Sequence, residues 1–147
     1  MGLTDDDIRE WAFVRGWHLD PETGYRVRTG DGLDAGSGVI LGDAVTFGDG
    51  VTLGDEVILG DRVTIGDGAT VGDRVHLAAD VQVGDGAIIG DDAILESVVQ
   101  VGDGARVGAR VSIGAGARVG DGSDVAADTK LAGGTVVPDG ASVAGAA

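Results

Sequence analysis

Apolar residues return along most of this chain in a rhythm of six. Between Val45 and Arg74 the segments Val-Thr-Phe-Gly-Asp-Gly, Val-Thr-Leu-Gly-Asp-Glu, Val-Ile-Leu-Gly-Asp-Arg, Val-Thr-Ile-Gly-Asp-Gly and Ala-Thr-Val-Gly-Asp-Arg follow one another without a break. The same frame keeps an apolar or small residue at the first and third places of each hexad from Val27 to Ala146, about twenty hexads with no insertion. First and third inward with the second outward is the alternation of a short strand that buries one side. The remaining Gly-Asp-X turns a corner. A fixed period of this kind predicts an all-β solenoid whose units bury their apolar sides only by stacking.

The first 26 residues lie outside the rhythm and predict a helix and hairpin that cap the array of residues 27–147. Thr4 before Asp5, Asp6 and Asp7 reads as an N-cap with acids in the first turn, where the helix dipole favours negative charge. Ile8, Trp11, Ala12 and Arg15 then share one side at helical spacing, and Gly16 is placed to end the helix. The helix is expected to plug the open end of the stack, since solenoids need capped ends; a partner-docking helix is the other reading. Asp20-Pro21-Glu22-Thr23-Gly24 is a turn signal, which predicts a hairpin between Trp17-His18-Leu19 and Tyr25-Arg26-Val27.

Composition changes this picture in a few places. Glycine is 29 of 147 residues but falls at the corners with only two prolines, so neither disorder nor collagen is implied. There is no cysteine, which removes disulfides and thiol chemistry. No signal peptide and no apolar run long enough to cross a bilayer is evident, so a cytoplasmic location is expected. A net charge of −15, with nine arginines to one lysine, argues against nucleic acid or an anionic membrane as partner.

The hexad resembles that of the hexapeptide-repeat transferases and their relatives: an aliphatic residue, Gly, two variable residues, a small or aliphatic residue and another variable one. Leu41-Gly42-Asp43-Ala44-Val45-Thr46 and Ile65-Gly66-Asp67-Gly68-Ala69-Thr70 match it place by place. The resemblance implies a left-handed parallel β-helix of triangular section with three hexads to a coil, hence six to seven coils, and assembly as a homotrimer. Residues eighteen apart then stack at about 4.8 Å, the spacing of neighbouring strands. On that rule Arg28, Thr46, Thr64, Gln82, Gln100, Arg118 and Val136 share a first, polar face; Asp34, Thr52, Thr70, Ile88, Arg106, Asp124 and Ser142 share a second. The third carries Ile40, Ile58, His76, Ile94, Ser112 and Lys130, and its isoleucines Ile40, Ile58 and Ile94 are expected at the contact between copies.

One corner repeats Gly-Asp-Gly up the stack, ending in Pro138-Asp139-Gly140, and lines up Asp31, Asp49, Asp67, Asp85, Asp103, Asp121 and Asp139. Each adjacent ionised pair at that spacing costs about 0.9 kcal/mol even in bulk water, so something must offset the column. Turn N–H groups donating to each carboxylate are one answer; a row of Ca²⁺ ions on Asp49, Asp67, Asp85 and Asp103 is the other. The corner glycine is lost at Ala78-Ala79-Asp80, Glu96-Ser97-Val98 and Ala126-Ala127-Asp128. From Ala105 onward the first inward place is often Ala, Ser or Thr, so the last coils bury less apolar surface. Thr135 to Gly145 resembles the closing Val-Pro-x-Gly coil of the family, and many relatives add a C-terminal helix there, whose absence would weigh against a full enzyme.

The resemblance also proposes chemistry. Gamma-class carbonic anhydrases hold zinc with three histidines, whereas only His18 and His76 exist here. Acyltransferase members use a histidine at a cleft between subunits as general base, to deprotonate the hydroxyl or amine that attacks an acyl thioester. His76, outward in the middle of the third face, fits that role, with Glu96 or Asp80 to orient it. Coenzyme A phosphates need cations, for which Arg106, Arg118 and Lys130, with Arg110, are the candidates. No loop interrupts the hexads, although family enzymes commonly close one over substrate. The competing expectation is therefore a non-catalytic structural or scaffold β-helix that self-assembles through its flat faces, with surface packing as the whole role of His76.

Overall fold

The computed structural model describes residues 3–143. The last residues of the hexad frame and of the closing coil, 144–147, lie outside that range. The helix α1 spans only Asp5–Arg9 and begins with the expected cap: the Thr4 hydroxyl accepts the Asp7 N–H, and the Asp7 carboxylate accepts the Thr4 N–H in return. Its length departs from expectation. Glu10 ends it, and the chain turns into a strand, β1 (Phe13–Val14), that pairs antiparallel with β2 (Trp17–Leu19). Arg15 and Gly16, with φ of 53° and 86°, form the tight turn between them, so Gly16 closes a hairpin rather than a helix. Physically, Phe13 and Val14 favour a strand, and five helical residues suffice to place Ile8, the one fully buried side chain of the segment, on the end of the core.

The hairpin across Asp20–Gly24 forms as expected, with its second strand beginning at Arg26 rather than Tyr25. His18 faces Val27 and Leu19 faces Arg26 of β3 (Arg26–Thr29), and Gly24 N–H donates to the Asp20 carbonyl at 2.8 Å. From β3 the chain winds through six complete coils and two strands of a seventh, each coil giving one short strand to each of three parallel sheets. Partners are eighteen residues apart throughout: Thr46 beside Thr64 on the first face, Thr70 beside Ile88 on the second, His76 beside Ile94 on the third. The three outward sets assigned from the period therefore occur as three real sheets of nine, seven and six strands, the first extended by β1 and β2.

Inward residues fill a continuous core from Val27 to Val125, almost all aliphatic. Towards the C-terminal end Ala105, Ala117, Ser123 and Thr129 take inward places, and the Thr129 hydroxyl is buried without a partner among the described residues. Less apolar area is buried per coil there, as the residue sizes require.

At the corners each coil grips the next. Gly48 N–H donates to the Ile65 carbonyl at 2.8 Å and Gly68 N–H to the Asp49 carbonyl at 2.7 Å. At the first corner each Asp N–H also donates to the Oδ1 of the aspartate one coil on, as from Asp49 to Asp67 at 2.7 Å and from Asp67 to Asp85 at 2.8 Å. This fit is why the glycine before the aspartate has no side chain. A Cβ on Gly66 would lie 2.3 Å from Asp85 Oδ1 and 2.7 Å from its nitrogen.

Two alanine substitutions in one turn separate close approach from backbone strain. Gly66→Ala forces the carboxylate off its amide donor and is expected to destabilise by about 3 kcal/mol. Gly68→Ala has open space around it and meets only the left-handed φ of 68°, a cost of about 1 kcal/mol. Urea unfolding of both variants measures the difference, and equal losses would contradict the steric argument.

Candidate functional site

His76 stands outward on the third face between Ile58 and Ile94, exposed, with no side-chain hydrogen bond among the described residues. Ile40, Ile58 and Ile94 are 59%, 36% and 47% exposed, so the ladder the sequence predicts is wet in a single chain. Glu96 follows Leu95 at the adjoining corner, one coil from His76, and is also exposed. Asp80 is not available to orient the imidazole. Its carboxylate holds Arg62, with Nε to Oδ1 at 2.7 Å and a second bond at 3.0 Å.

The other histidine, His18, has a packing role. Its Nδ1 lies 3.3 Å from the Trp11 carbonyl and its ring sits 4.8 Å from that of Phe13, far along the chain from His76.

The aspartate column is held by the first of the two answers, turn N–H donors. Asp49, Asp67, Asp85 and Asp103 each commit Oδ1 to a backbone amide of the preceding coil, at 2.7 to 2.9 Å. Among the described residues no group of three or more acidic or histidine side chains is placed to hold a metal ion. The calcium ladder finds no support: Ca²⁺ needs six to eight oxygens gathered round one point, whereas the column offers one carboxylate per coil with its Oδ1 already accepting an amide.

Opposite charges stack at the other two corners, alternating along one of them, a feature sequence reasoning passed over. Arg62 pairs with Asp80, Arg74 with Asp92 and Arg110 with Asp128, each through Nε at 2.7 to 2.8 Å and each one coil apart. All six sit at left-handed corner positions, with φ between 57° and 66°. The signal was present in the sequence as Glu56, Arg74, Asp92, Arg110 and Asp128, opposite charges at eighteen-residue spacing. In each pair the guanidinium hydrogen bond holds the carboxyl below its ordinary value of 3.8 and raises the arginine. Arg110 is thereby engaged within the chain.

The remaining cations do not converge. Arg106 projects from the second face, Arg118 from the first and Lys130 from the third, so one chain cannot present them to a single diphosphate. Arg118 does border a groove of about 720 Å³ along the first face. Gln82 and Gln100, the corner residues Asp85, Asp103 and Asp121, and Gly84, Gly102 and Gly120 are among its lining residues. The two stacked glutamines are the site residues that the sequence displayed, in the first-face set, without marking.

Two family models match contiguous stretches of these coils. Residues 62–97 match the bacterial transferase hexapeptide (six repeats), and residues 98–129 match the hexapeptide repeat of succinyl-transferase. The chain is a hexapeptide-repeat protein. Among solved structures it is similar to the acetyltransferase domain of PglB from Neisseria gonorrhoeae in complex with acetyl coenzyme A, at 23% identity and a TM-score of 0.66 over 81% of this chain and 54% of that one. It is similar also to a mutant of GDP-perosamine N-acetyl transferase from Caulobacter crescentus in complex with CoA and GDP-perosamine, at 25% identity and a TM-score of 0.65 over 84% of this chain and 56% of that one. The hexapeptide-repeat chain thus has the left-handed β-helix fold and spans about half the length of these two proteins. No curated protein matches it in sequence. No described helix is long and apolar enough to cross a membrane.

The charge ladder makes stability depend on pH in a defined direction. Carboxyls whose folded pKa is depressed stabilise above their unfolded value and lose that contribution as pH falls through the folded one. Asp92→Asn should therefore lower the melting temperature at pH 7, and the gap to the parent protein should close below about pH 4 or in high salt. Melting curves from pH 2 to 7 check it; a gap that stays constant across the range would assign the loss to packing.

Proposed function

We propose that this chain is the β-helix part of an acyltransferase that works as a homotrimer and moves an acyl group from a coenzyme A thioester to a hydroxyl or amine of a small-molecule acceptor. One observation carries the reading: an exposed, unbonded imidazole stands in the middle of an apolar ladder that a single chain leaves wet. Three parallel chains related by a three-fold axis bring different faces together, because such contacts are heterologous. Covering Ile40, Ile58 and Ile94 with the first face of a neighbour sets His76 against the neighbour's groove, beside Gln82 and Arg118.

In that cleft the imidazole of His76 takes the proton of the attacking hydroxyl or amine as the new bond forms to the thioester carbonyl carbon. The carbon–sulfur bond then breaks, and the proton returns to the departing sulfur. Glu96, at the corner beside Ile94, is the carboxylate that orients the ring. Arg118 and Lys130, on the two faces that meet, come together only across chains, where they serve the phosphates of the donor; Arg106, on the second face, stays outside that contact. The similarity to an N-acetyl transferase in complex with CoA supports this class of reaction.

The competing reading, a scaffold that packs through its flat faces, is favoured by coils that run from Val27 to Val143 with nothing longer than a corner between strands. Turnover separates the two. With acetyl coenzyme A and a panel of amine and sugar acceptors, His76→Ala should lower kcat by about 10²- to 10⁴-fold. Absence of coenzyme A binding at millimolar ligand would leave the scaffold. Ile58→Asp is expected to convert the trimer to monomers in sedimentation, and an unchanged mass would remove the shared cleft.

A further inference from the structure

Two features lie at the N-terminal end of the solenoid, beyond its first coil, and neither is used in the site above. One is the outer surface of the β1–β2 hairpin, which extends the first face. Val14 is 47% exposed there, and the guanidinium of Arg28 lies 3.8 Å over the ring of Trp17. Arg15, exposed at the hairpin tip, has no ion pair among the described residues. The other is a pocket of about 270 Å³ at the same end of the third face, where Trp11 and Val39 form apolar walls and Asp20 and Glu22 supply negative charge.

The two are complementary. One is cationic and aromatic and belongs to the first face; the other is acidic and apolar and belongs to the third. They overlap in height at the level of β2, since Asp20 and Glu22, which line the pocket, follow β2 directly, while Val39 and Leu41 of the first coil close its other side. Four of the five aromatic residues, Trp11, Phe13, Trp17 and Tyr25, fall in this short segment of an otherwise aromatic-poor chain. Aromatic residues and arginine are the types that concentrate at interfaces between proteins.

We infer that the hairpin of each copy docks into the acidic pocket of its neighbour, forming an N-terminal clasp in which Arg15 faces Glu22 and Asp20 across the subunit boundary. This rests on the trimer reading above, in which first and third faces meet, and it assigns the occupant of the pocket to a second copy of this chain. Because the contact is heterologous, every boundary in a closed ring holds one hairpin and one pocket. The clasp also fixes which coils lie level, and hence the height at which His76 enters the neighbour's groove. Parallel chains that slip by one coil would carry His76 past the groove residues it must face.

Charge reversal tests the contact. Arg15→Glu and Glu22→Arg should each raise the dissociation constant of the assembly about tenfold, measured by sedimentation over a dilution series, while circular dichroism stays that of the parent. The double variant restores opposite charge at every boundary and should return the constant to within about threefold of the parent. Single variants that assemble like the parent, a double variant no better than either single, or a parent protein that is monomeric throughout would each overturn the clasp. Failure of acyl transfer is read in turnover and leaves these masses unchanged, so the two proposals fail separately.

Discussion

Everything in this molecule depends on the contact between a corner glycine and the aspartate one coil above it. The aspartate Oδ1 sits where a Cβ would stand, accepting the N–H of the residue after that glycine, so coils approach closely only if the glycine stays bare. One hydrogen bond of this type contributes about 1 kcal/mol, but here it recurs at each first corner, and the repeat makes the gains nearly additive. The same contact sets the eighteen-residue register. Once the first corners are stacked, the three outward columns have no freedom to slip, and each face presents one side chain per coil at strand spacing.

The contact also resolves an electrostatic problem. A column of carboxylates at strand spacing is unfavourable, and in a chain of net charge −15 little positive charge is available to offset it. Backbone amides supply partial positive charge without adding residues, and at left-handed corner positions one corner sets Arg74 and Arg110 between acids while the other sets Arg62 beside Asp80. Exposed ion pairs of this kind stabilise weakly one at a time. Their regular alternation matters more for register, since a slip by one coil would set Arg74 beside Arg110 and Asp92 beside Asp128.

The fold was legible because its rule is periodic. Strand position, inward residues, the three faces and the hairpin at Asp20–Gly24 all follow from a six-residue alternation and a turn signal. What escaped was local and unrepeated. The segment from Trp11 to Gly16 fits a helical side as well as a hairpin, and the decision came from burial: Ile8 is fully buried and Trp11 packs partly against the core, while nothing from Ala12 to Arg15 has core to cover, so little rewards a longer helix. The groove escaped for a related reason. Gln82 and Gln100 are ordinary outward residues in the sequence and define a concavity only together with the corner residues that line it. Asp80 was separated from His76 by Arg62, a partner eighteen residues away and invisible to a reading of neighbouring positions.

A triangular solenoid carries a limit on function that follows from its geometry. Each face is flat and each coil gives it a single outward residue, so groups on different faces diverge: Arg106, Arg118 and Lys130 point in three directions although they lie within two coils. Chemistry that needs a base, an orienting carboxylate and a phosphate clamp around one small molecule therefore requires two faces brought together. Within one chain the core forbids that. Between chains it needs an apolar stripe to bring the faces together and a means of keeping coils level, because a repeating surface packs almost equally well after a shift of one repeat. In the trimer we propose, the isoleucine ladder supplies the first. The second has to come from something that does not repeat, and among the described residues the N-terminal hairpin and its acidic pocket are aperiodic surfaces of that kind.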